Sequence, residues 1–509
     1  MLLTDVLKRW QILKNRPSIL LTGTDEHGMK IQQAALKAGV PPKEFCDRGA
    51  AVFKDLANRI GISNDVFIRT TDQRHKEGVE YAWQMLQEKG WIYESKHEGW
   101  YSVNDETFYP APQVQLIVEP ATGRKIMVSI ETGKEVEWTS ERNYHFRLSA
   151  FREKLLAFYE ENPSFVVPKA RMEDVVKQVT TSLSDLSISR PVERLDWGIR
   201  VPTDPSQTIY VWLDALLNYA TAAGYPFTPG SETTNGWPAD VHVVGKDIKM
   251  AKSTGNVVNP FWALDRFGLD VMRWYLVHEG GIADDADYDN RFIVEKYKKN
   301  LQGGLGNLTS RIMRGKGWDV RRAVRQYAHD SGVVDEGTFP AISDEESKEG
   351  RRMYGRLRAL PGQVDRHMRD LHPNRALQAV MKGVADMNGY LQQASPWTTV
   401  TRLQGVAADT TGEQMQTLLK DEGKTPENLE SEIDRTVYMA AETLRLSGLT
   451  LQAFIPGSAG RLLDMLGVAE ERRSWEWCQV GKDDTYGDPA VPLGKGEEGV
   501  LFPRLVSEF

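Results

Sequence analysis

The stretch from Thr4 to Met29 most constrains what this chain can fold into. Thr4 to Lys14 carries Val6, Leu7, Trp10, Leu13 and Lys14 at a period near 3.6, with Thr4 or Asp5 placed to cap a helix. The apolar run at 18–21, SILL, reads as a short buried strand. It leads into a polar loop, Thr22–Gly23–Thr24–Asp25–Glu26–His27–Gly28, and a second helix starts near Met29. Helix, strand, polar loop, helix is half of a doubly wound α/β unit, in which ligands bind at the carboxyl edge of the strands. Asp25, Glu26 and His27 would lie at that edge. From spacing alone they serve equally as a ligand site or as an N-cap cluster in which Asp25 satisfies the first helical amides.

Helical patterns continue over Pro42 to Leu56 and His75 to Lys89, with a strand at Val66 to Arg69 between them. From Trp91 the texture changes to short aromatic and β-branched runs (WIYES, GWYSV, ETFYP, QLIVE) separated by Gly, Pro and Asn. They predict a β-rich insertion that ends near a helical stretch beginning at Arg142. Its one histidine before His145 is His97, and it has no cysteine, so a metal is not expected there. After Pro168 the α/β texture returns, with Thr208 to Leu213, TIYVWL, as a strand and Trp212, Asp214 and Tyr219 at its end. Trp212 and Tyr219 are seven residues apart, on one helical face, where they either wall an apolar pocket or pack in a core. Beyond Arg291 the strand patterns stop. Helices are predicted over about 291–315, 350–370, 375–395 and 431–453, joined by polar acidic loops such as 404–430.

At 509 residues and 40% apolar content the chain can build several cores. Cys46 and Cys478 stand far apart, which excludes a disulfide framework and a four-thiolate zinc site. No apolar run approaches the roughly 20 residues of a membrane span, so no membrane partner is expected. The net charge of −8 argues against blanket nucleic-acid affinity, yet residues 291–325 hold ten Lys and Arg against Glu295 and Asp319. That local +8 is either a solvated helix face or a polyanion contact. Residues 239–260, ADVHVVGKDIKMAKSTGNVVNP, show a further charged feature. A β-branched run, Val241 to Val244, ends at Gly245 in a loop with Lys246, Lys249 and Lys252, which predicts a strand followed by a phosphate-handling loop.

Several stretches together resemble the class I methionyl-tRNA synthetases: TGTDEHG at 22–28, NYHFRLS at 143–149, DLSISRP at 185–191, YVWLDALLNY at 210–219, HVVGKDI at 242–248, KMAKSTGNVV at 249–258, LGNLTSR at 305–311 and SPW at 395–397. The region from Leu451 to Gly467 agrees too, and the zinc-free insertion and compact C-terminus are most like the mitochondrial members. The resemblance implies an α/β Rossmann-like catalytic domain in two parts (1–90 and 171–250) around a connective insertion without zinc (91–170). A KMSKS loop and stem-contact region (251–290), an all-α anticodon-binding domain (291–470) and a tail (471–509) would follow.

It also implies that methionine is activated by ATP, with Mg²⁺ helping, and passed to tRNA(Met), by a monomer in the mitochondrial matrix or the cytoplasm. Position by position, Lys252 and Lys249 would be catalytic, and His27, Gly245, Asp247 and Lys252 would bind ATP. Asp25 would take the methionine ammonium, and Trp212, Leu216, Tyr219 and Ile248 would border the thioether. Asn307, Arg311 and Trp397 would read the anticodon. Ala251 stands where the family has the middle serine of KMSKS.

Two departures from the family pattern stand out. No HIGH-type motif precedes Thr4, and HVVGKDI is followed at once by KMAKS, where relatives place some tens of residues carrying a helix, a strand and a pocket histidine. Charge-stabilising groups are each worth about 2.7–4 kcal/mol to a transition state, so the chain as written is expected to aminoacylate weakly or not at all. A catalytically dead tRNA-binding relative is the competing reading. Another class I synthetase, for a branched aliphatic amino acid, would need a large editing insertion, and none is visible.

Overall fold

The computed structural model describes residues 1–102, 107–118, 123–228, 236–245, 258–281, 288–328, 344–406 and 425–505. They form two compact units. One takes Met1–Ser18, Arg59–Ser63 and Lys249–Phe509, and the other takes Ile19–Asn58 and Asn64–Ile248. Helix α1 (Leu2–Leu13), in the first of these, begins ahead of the expected cap: Asp5 lies inside it and is fully buried.

The second unit opens with β1 (Leu21–Thr24), which pairs in parallel with β2 (Val66–Arg69) from Leu21 opposite Val66 to Thr24 opposite Arg69. The crossover runs through α2 (Met29–Ala38) and α3 (Pro42–Arg59). The strand expected at 18–21 is displaced to Leu21 because Ile19 is exposed and the Leu20 amide donates to the Asp65 carboxylate (2.7 Å) rather than to a ladder. Gly23 is required by the close approach of the two strands, since a Cβ there would stand 2.0 Å from the Ile68 carbonyl oxygen.

After α4 (Gln73–Glu88) comes the β-rich insertion. It is built on β3 (Ile92–Ser102) with β4 (Thr107–Tyr109), a separate hairpin of β5 (Val114–Val118) and β6 (Lys125–Ser129), and β7 (Glu137–Phe146), which pairs antiparallel with β3. Arg142, expected to open a helix, is mid-strand opposite Lys96, because Asn143 and His145 are buried at a period of two. The helices follow later, as α5 (Arg152–Glu161) and α6 (Lys169–Ser182).

Short strands β8 (Leu186–Ser187), β9 (Ser189–Pro191), β10 (Arg200–Val201) and β11 (Asp204–Ile209) lead to α7 (Val211–Ala222). The expected strand 208–213 therefore stops at Ile209. The Tyr210 carbonyl accepts from the amides of Leu213 (3.1 Å) and Asp214 (3.4 Å), which closes a helical turn through the apolar run. Val241 to Val244, also expected as a strand, have no regular structure and Val241, Val243 and Val244 are exposed. A β-branched run becomes a strand only beside a partner, and β1 and β2 are the only parallel pair among the described residues.

The other unit is helical: α1, α8 (Pro260–Phe267), α9 (Leu269–Glu279), α10 (Asn290–Lys296), a π-helical stretch (Tyr297–Gly306), α11 (Asn307–Met313), α12 (Val320–Tyr327), α13 (Asp344–Arg369), α14 (Pro373–Ala394), α15 (Pro396–Val406), α16 (Pro426–Leu451) and α17 (Pro456–Leu466). Its core runs from Val6 and Trp10 through Leu301, Leu377 and Leu444 to Phe502.

Two buried charge clusters join distant parts of this unit. The Asp5 carboxylate accepts from the Ser63 amide and hydroxyl (both 2.7 Å), Arg9 (2.8 Å) and Arg273 (2.6 Å), and Arg273 also donates to the carbonyls of Phe454 and Ile60. In α16, Glu442 accepts from Arg445, the Tyr486 hydroxyl and the Gly481 amide, while Arg445 donates to the carbonyls of Trp477 and Gln479. The chain after 467 is thus tied into this core, and Cys478 and Tyr486 are buried. Removing Arg273 takes away the buried one of the two guanidiniums on Asp5 and leaves it the partly exposed Arg9. Arg273→Met is expected to cost about 3–5 kcal/mol, read as a lower denaturant midpoint. An unchanged midpoint would show that Asp5 is satisfied without Arg273.

Candidate functional site

The loop that leaves β1 sorts its three polar residues by burial. Glu26 is buried and accepts from Arg69 Nε (2.6 Å) and a second guanidinium nitrogen (2.9 Å), and from the Thr24 hydroxyl (2.6 Å) and that of Thr71. Burial opposes its charge, but these donors hold the carboxyl below its ordinary value. His27 is buried as well. Its Nδ1 is 2.6 Å from Asp214 Oδ2, and its ring meets that of Trp197 edge-on, while the Trp197 indole N–H donates to the Glu26 carbonyl (2.6 Å). Asp25 is the member left exposed. The N-cap position of α2 is taken by Gly28, with φ of 101°, rather than by a residue of the trio.

Asp214, in the first turn of α7, is the junction. Its second oxygen, Oδ1, lies 2.7 Å from His75 Nε2, and His75 Nδ1 lies 2.8 Å from the Thr221 hydroxyl about two turns further along α7. Burial works against the Asp214 charge, yet the bonds from His27 and His75 hold its carboxyl below the ordinary carboxylate value. One carboxylate thereby fixes the 25–28 loop, α4 and α7 to one another. Sequence reading placed Asp214 at the strand end without a role and passed over His75 and Trp197, since no local spacing links these positions.

Helix α7 divides by face. Leu213 and Leu217 pack against the core of Val79, Trp83 and Ile209, whereas Trp212 is 50%, Leu216 67% and Tyr219 40% exposed. These three residues, expected around the thioether, are brought onto one open apolar face. Tyr219 meets the His242 ring edge-on at 4.9 Å, a contact that sequence reading did not find. Gly245 is exposed. Lys246, Asp247, Ile248, Lys249 and Lys252 lie outside the described residues. Among the described residues no group of three or more His, Cys, Asp or Glu side chains converges as a metal site.

In the helical unit, Asn307 and Arg311 occupy successive turns of α11, and the Arg311 guanidinium lies 4.9 Å over the Trp397 ring at the start of α15. All three expected anticodon residues are therefore brought together. Two residues of α14, unnoticed in the sequence, stand opposite. Asn388 accepts from the Asn307 amide (3.5 Å), and Gln392 accepts from Arg311 (3.1 Å). Of the local +8, three charges are engaged within the chain: Arg322 pairs with Asp434, Arg321 donates to the carbonyls of Asp484 and Tyr486, and Arg314 donates to those of Leu493, Gly494 and Gly499. Lys298, Lys299, Lys316 and Arg325 remain exposed.

The family model described as tRNA synthetases class I (M) matches residues 1–248 and again 238–313. A probable mitochondrial methionine–tRNA ligase of Neurospora crassa is 44% identical over 543 aligned positions, covering all of this chain and 82% of its own. The chain belongs to the class I methionyl-tRNA synthetases. It is an aminoacyl-tRNA synthetase, a methionine–tRNA ligase, and has the class I synthetase fold. A probable mitochondrial methionine–tRNA ligase of Schizosaccharomyces pombe is 35% identical over 93% of this chain and 87% of its own. The crystal structure of Mycobacterium tuberculosis methionyl-tRNA synthetase bound by methionyl-adenylate superposes with a TM-score of 0.79 at 32% identity, over 99% of this chain and 95% of that one. With 543 aligned positions against 509 residues, the Neurospora synthetase has positions inside the alignment that this chain lacks, and the match to the family model restarts between 238 and 248.

Asp214→Asn keeps the volume and removes the charge that both imidazoles use. Each charge-assisted bond is worth about 1.5–3 kcal/mol, so the variant is expected to unfold more easily at neutral pH by a few kcal/mol. Because the folded carboxyl sits below its ordinary value of 3.8, the Asp214 contribution is complete above that value and is lost as the pH falls through the depressed one. The melting temperature of the unaltered protein should therefore fall more steeply on acidification than that of Asp214→Asn. Parallel acid limbs would remove Asp214 from this role.

Proposed function

We propose that this synthetase activates methionine on the unit that carries β1 and α7, and charges tRNA(Met) in the mitochondrial matrix. The single observation that carries the site reading is the anchoring of the 25–28 loop. His27 in that loop is bonded to Asp214 of α7, which places the exposed Asp25, two residues earlier, at the carboxyl end of β1. A carboxylate at the carboxyl end of a strand is a natural partner for an ammonium group. The open face of Trp212, Leu216 and Tyr219 supplies what an unbranched thioether needs, namely polarisable contact without a polar demand. Asp214 occupies His27 Nδ1, so contact with the nucleotide falls to Nε2.

In the reaction a carboxylate oxygen of methionine bonds to the α-phosphorus of ATP, and the bond from that phosphorus to the pyrophosphate oxygen breaks. Such a step depends on alignment and on charge placed over the phosphate oxygens. Lys252 and Lys249 are the residues for that charge, with Gly245 and Asp247 on the nucleotide and Ile248 at the thioether. Mg²⁺ would travel on the ATP phosphates. The aminoacyl-adenylate then passes its methionyl group to a ribose hydroxyl of the tRNA terminus, releasing AMP. Asn307, Arg311 and Trp397 offer the tRNA two polar side chains and a stacking surface for unpaired bases.

Methionine-dependent exchange of pyrophosphate into ATP tests this reading. Lys252→Ala should lower kcat about 10²–10³-fold. Asp25→Ala should act mainly by raising the methionine KM, and undiminished exchange by both variants would overturn the assignment. The break in the family match at 238–248 supports a further expectation. Exchange by this chain should be slow and should rise when a relative's segment is inserted between Ile248 and Lys249. Equal rates would show that the direct joint costs nothing.

A further inference from the structure

The helix bearing Asn307 and Arg311 does not reach them as an α-helix. From Tyr297 to Gly306 the chain is π-helical, and the Asn307 amide still donates to the Gln302 carbonyl five residues back. Stretches of this kind are rare beyond one turn, and they shift the phase of everything that follows by about 100° for each extra residue taken up. The sequence YKKNLQGGLG has three glycines at the end of the stretch. A methyl at Gly303 would stand 2.8 Å from the Lys298 carbonyl oxygen, and one at Gly306 would stand 3.2 Å from that of Leu301. Both contacts are to the residue five back, so the wide turn depends on bare backbone at these places.

Asn388 of α14 engages the same turn. Its side-chain amide donates to the Gly304 carbonyl (3.2 Å), and its side-chain oxygen accepts from the Asn307 side-chain amide (3.5 Å). One side chain thus ties the last π turn to the first candidate base-reading residue. Gln392, one turn further along α14, accepts from Arg311, which lies over Trp397.

We infer that the glycine-built π turn and its Asn388 clasp set the rotational phase of Asn307 and Arg311, making Gly303 and Asn388 positioning residues for choice of tRNA, an inference that rests on the anticodon reading proposed above. Neither residue needs to touch the nucleic acid. An α-helical path through 297–306 would turn Asn307 and Arg311 away from Trp397 while leaving their chemistry intact.

The test is binding of tRNA transcripts with a CAU anticodon and with an altered one, which does not depend on catalysis. Gly303→Ala and Asn388→Ala should each weaken CAU binding by about tenfold, the size of one lost base contact, and should bring the ratio of the two affinities toward one. Gly389→Ala, on the same helix and with open space around it, should change neither. Melting temperatures separate positioning from unfolding, and Asn388→Ala decides the matter if Gly303→Ala fails to fold. Trp397→Ala tests the underlying reading. If it also leaves the affinity ratio unchanged, the anticodon assignment falls. If Trp397→Ala lowers the ratio while Gly303→Ala and Asn388→Ala do not, the phase inference alone is overturned.

Discussion

The Asp214 carboxylate bears more of the candidate catalytic unit than any other group. Both oxygens are committed, one to each of two buried imidazoles, and those imidazoles come from the loop after β1 and from α4. Burying a lone carboxylate is costly, so the arrangement persists only while both partners are present. This dependence makes the geometry around Asp25 rigid at little cost to Asp25 itself. The exposed Asp25 lies two residues before the buried His27 in the same loop. The same separation appears on α7, where one face secures the core and the other is left open.

The helical unit uses buried charge differently. Asp5 with Arg273, and Glu442 with Arg445 and Tyr486, each gather segments that are hundreds or tens of residues apart in sequence. Apolar packing alone is tolerant of small shifts, while a bidentate guanidinium pair has one geometry. Charge is thus spent on register where helices and the C-terminal residues must meet in one way. Part of the local +8 is engaged in the same way: Arg314 and Arg321 donate to carbonyls and Arg322 to Asp434.

Much of this was legible in the chain. Helices α3, α4 and α14 follow their apolar periods closely, and β2 falls where its pattern puts it. The pairing of Asn307 with Arg311 follows from four-residue spacing alone. The failures share a cause. Residues 18–21, 210–213 and 241–244 are apolar or β-branched runs too short to declare their own structure, and each was decided by a neighbour. Asp65 takes the Leu20 amide, the Tyr210 carbonyl closes a helical turn, and Val241 to Val244 have no adjacent strand among the described residues. Arg142 was misplaced for a related reason, since its strand is fixed by pairing with β3 some 46 residues earlier in register.

By itself the sequence determined the family, the α/β-then-α order and the identity of the residues with chemistry to offer, because those follow from motif order and from local periodicity. The tertiary structure alone decided which polar groups are buried and which are exposed. Glu26 and Asp25 are adjacent acids, yet one is held by Arg69, Thr24 and Thr71 and the other faces solvent. Likewise nothing local announces that Asn388 will clasp the turn before Asn307, or that the turn is π-helical. Burial and hydrogen-bond partners are properties of what packs alongside, and a one-dimensional pattern records only what lies before and after.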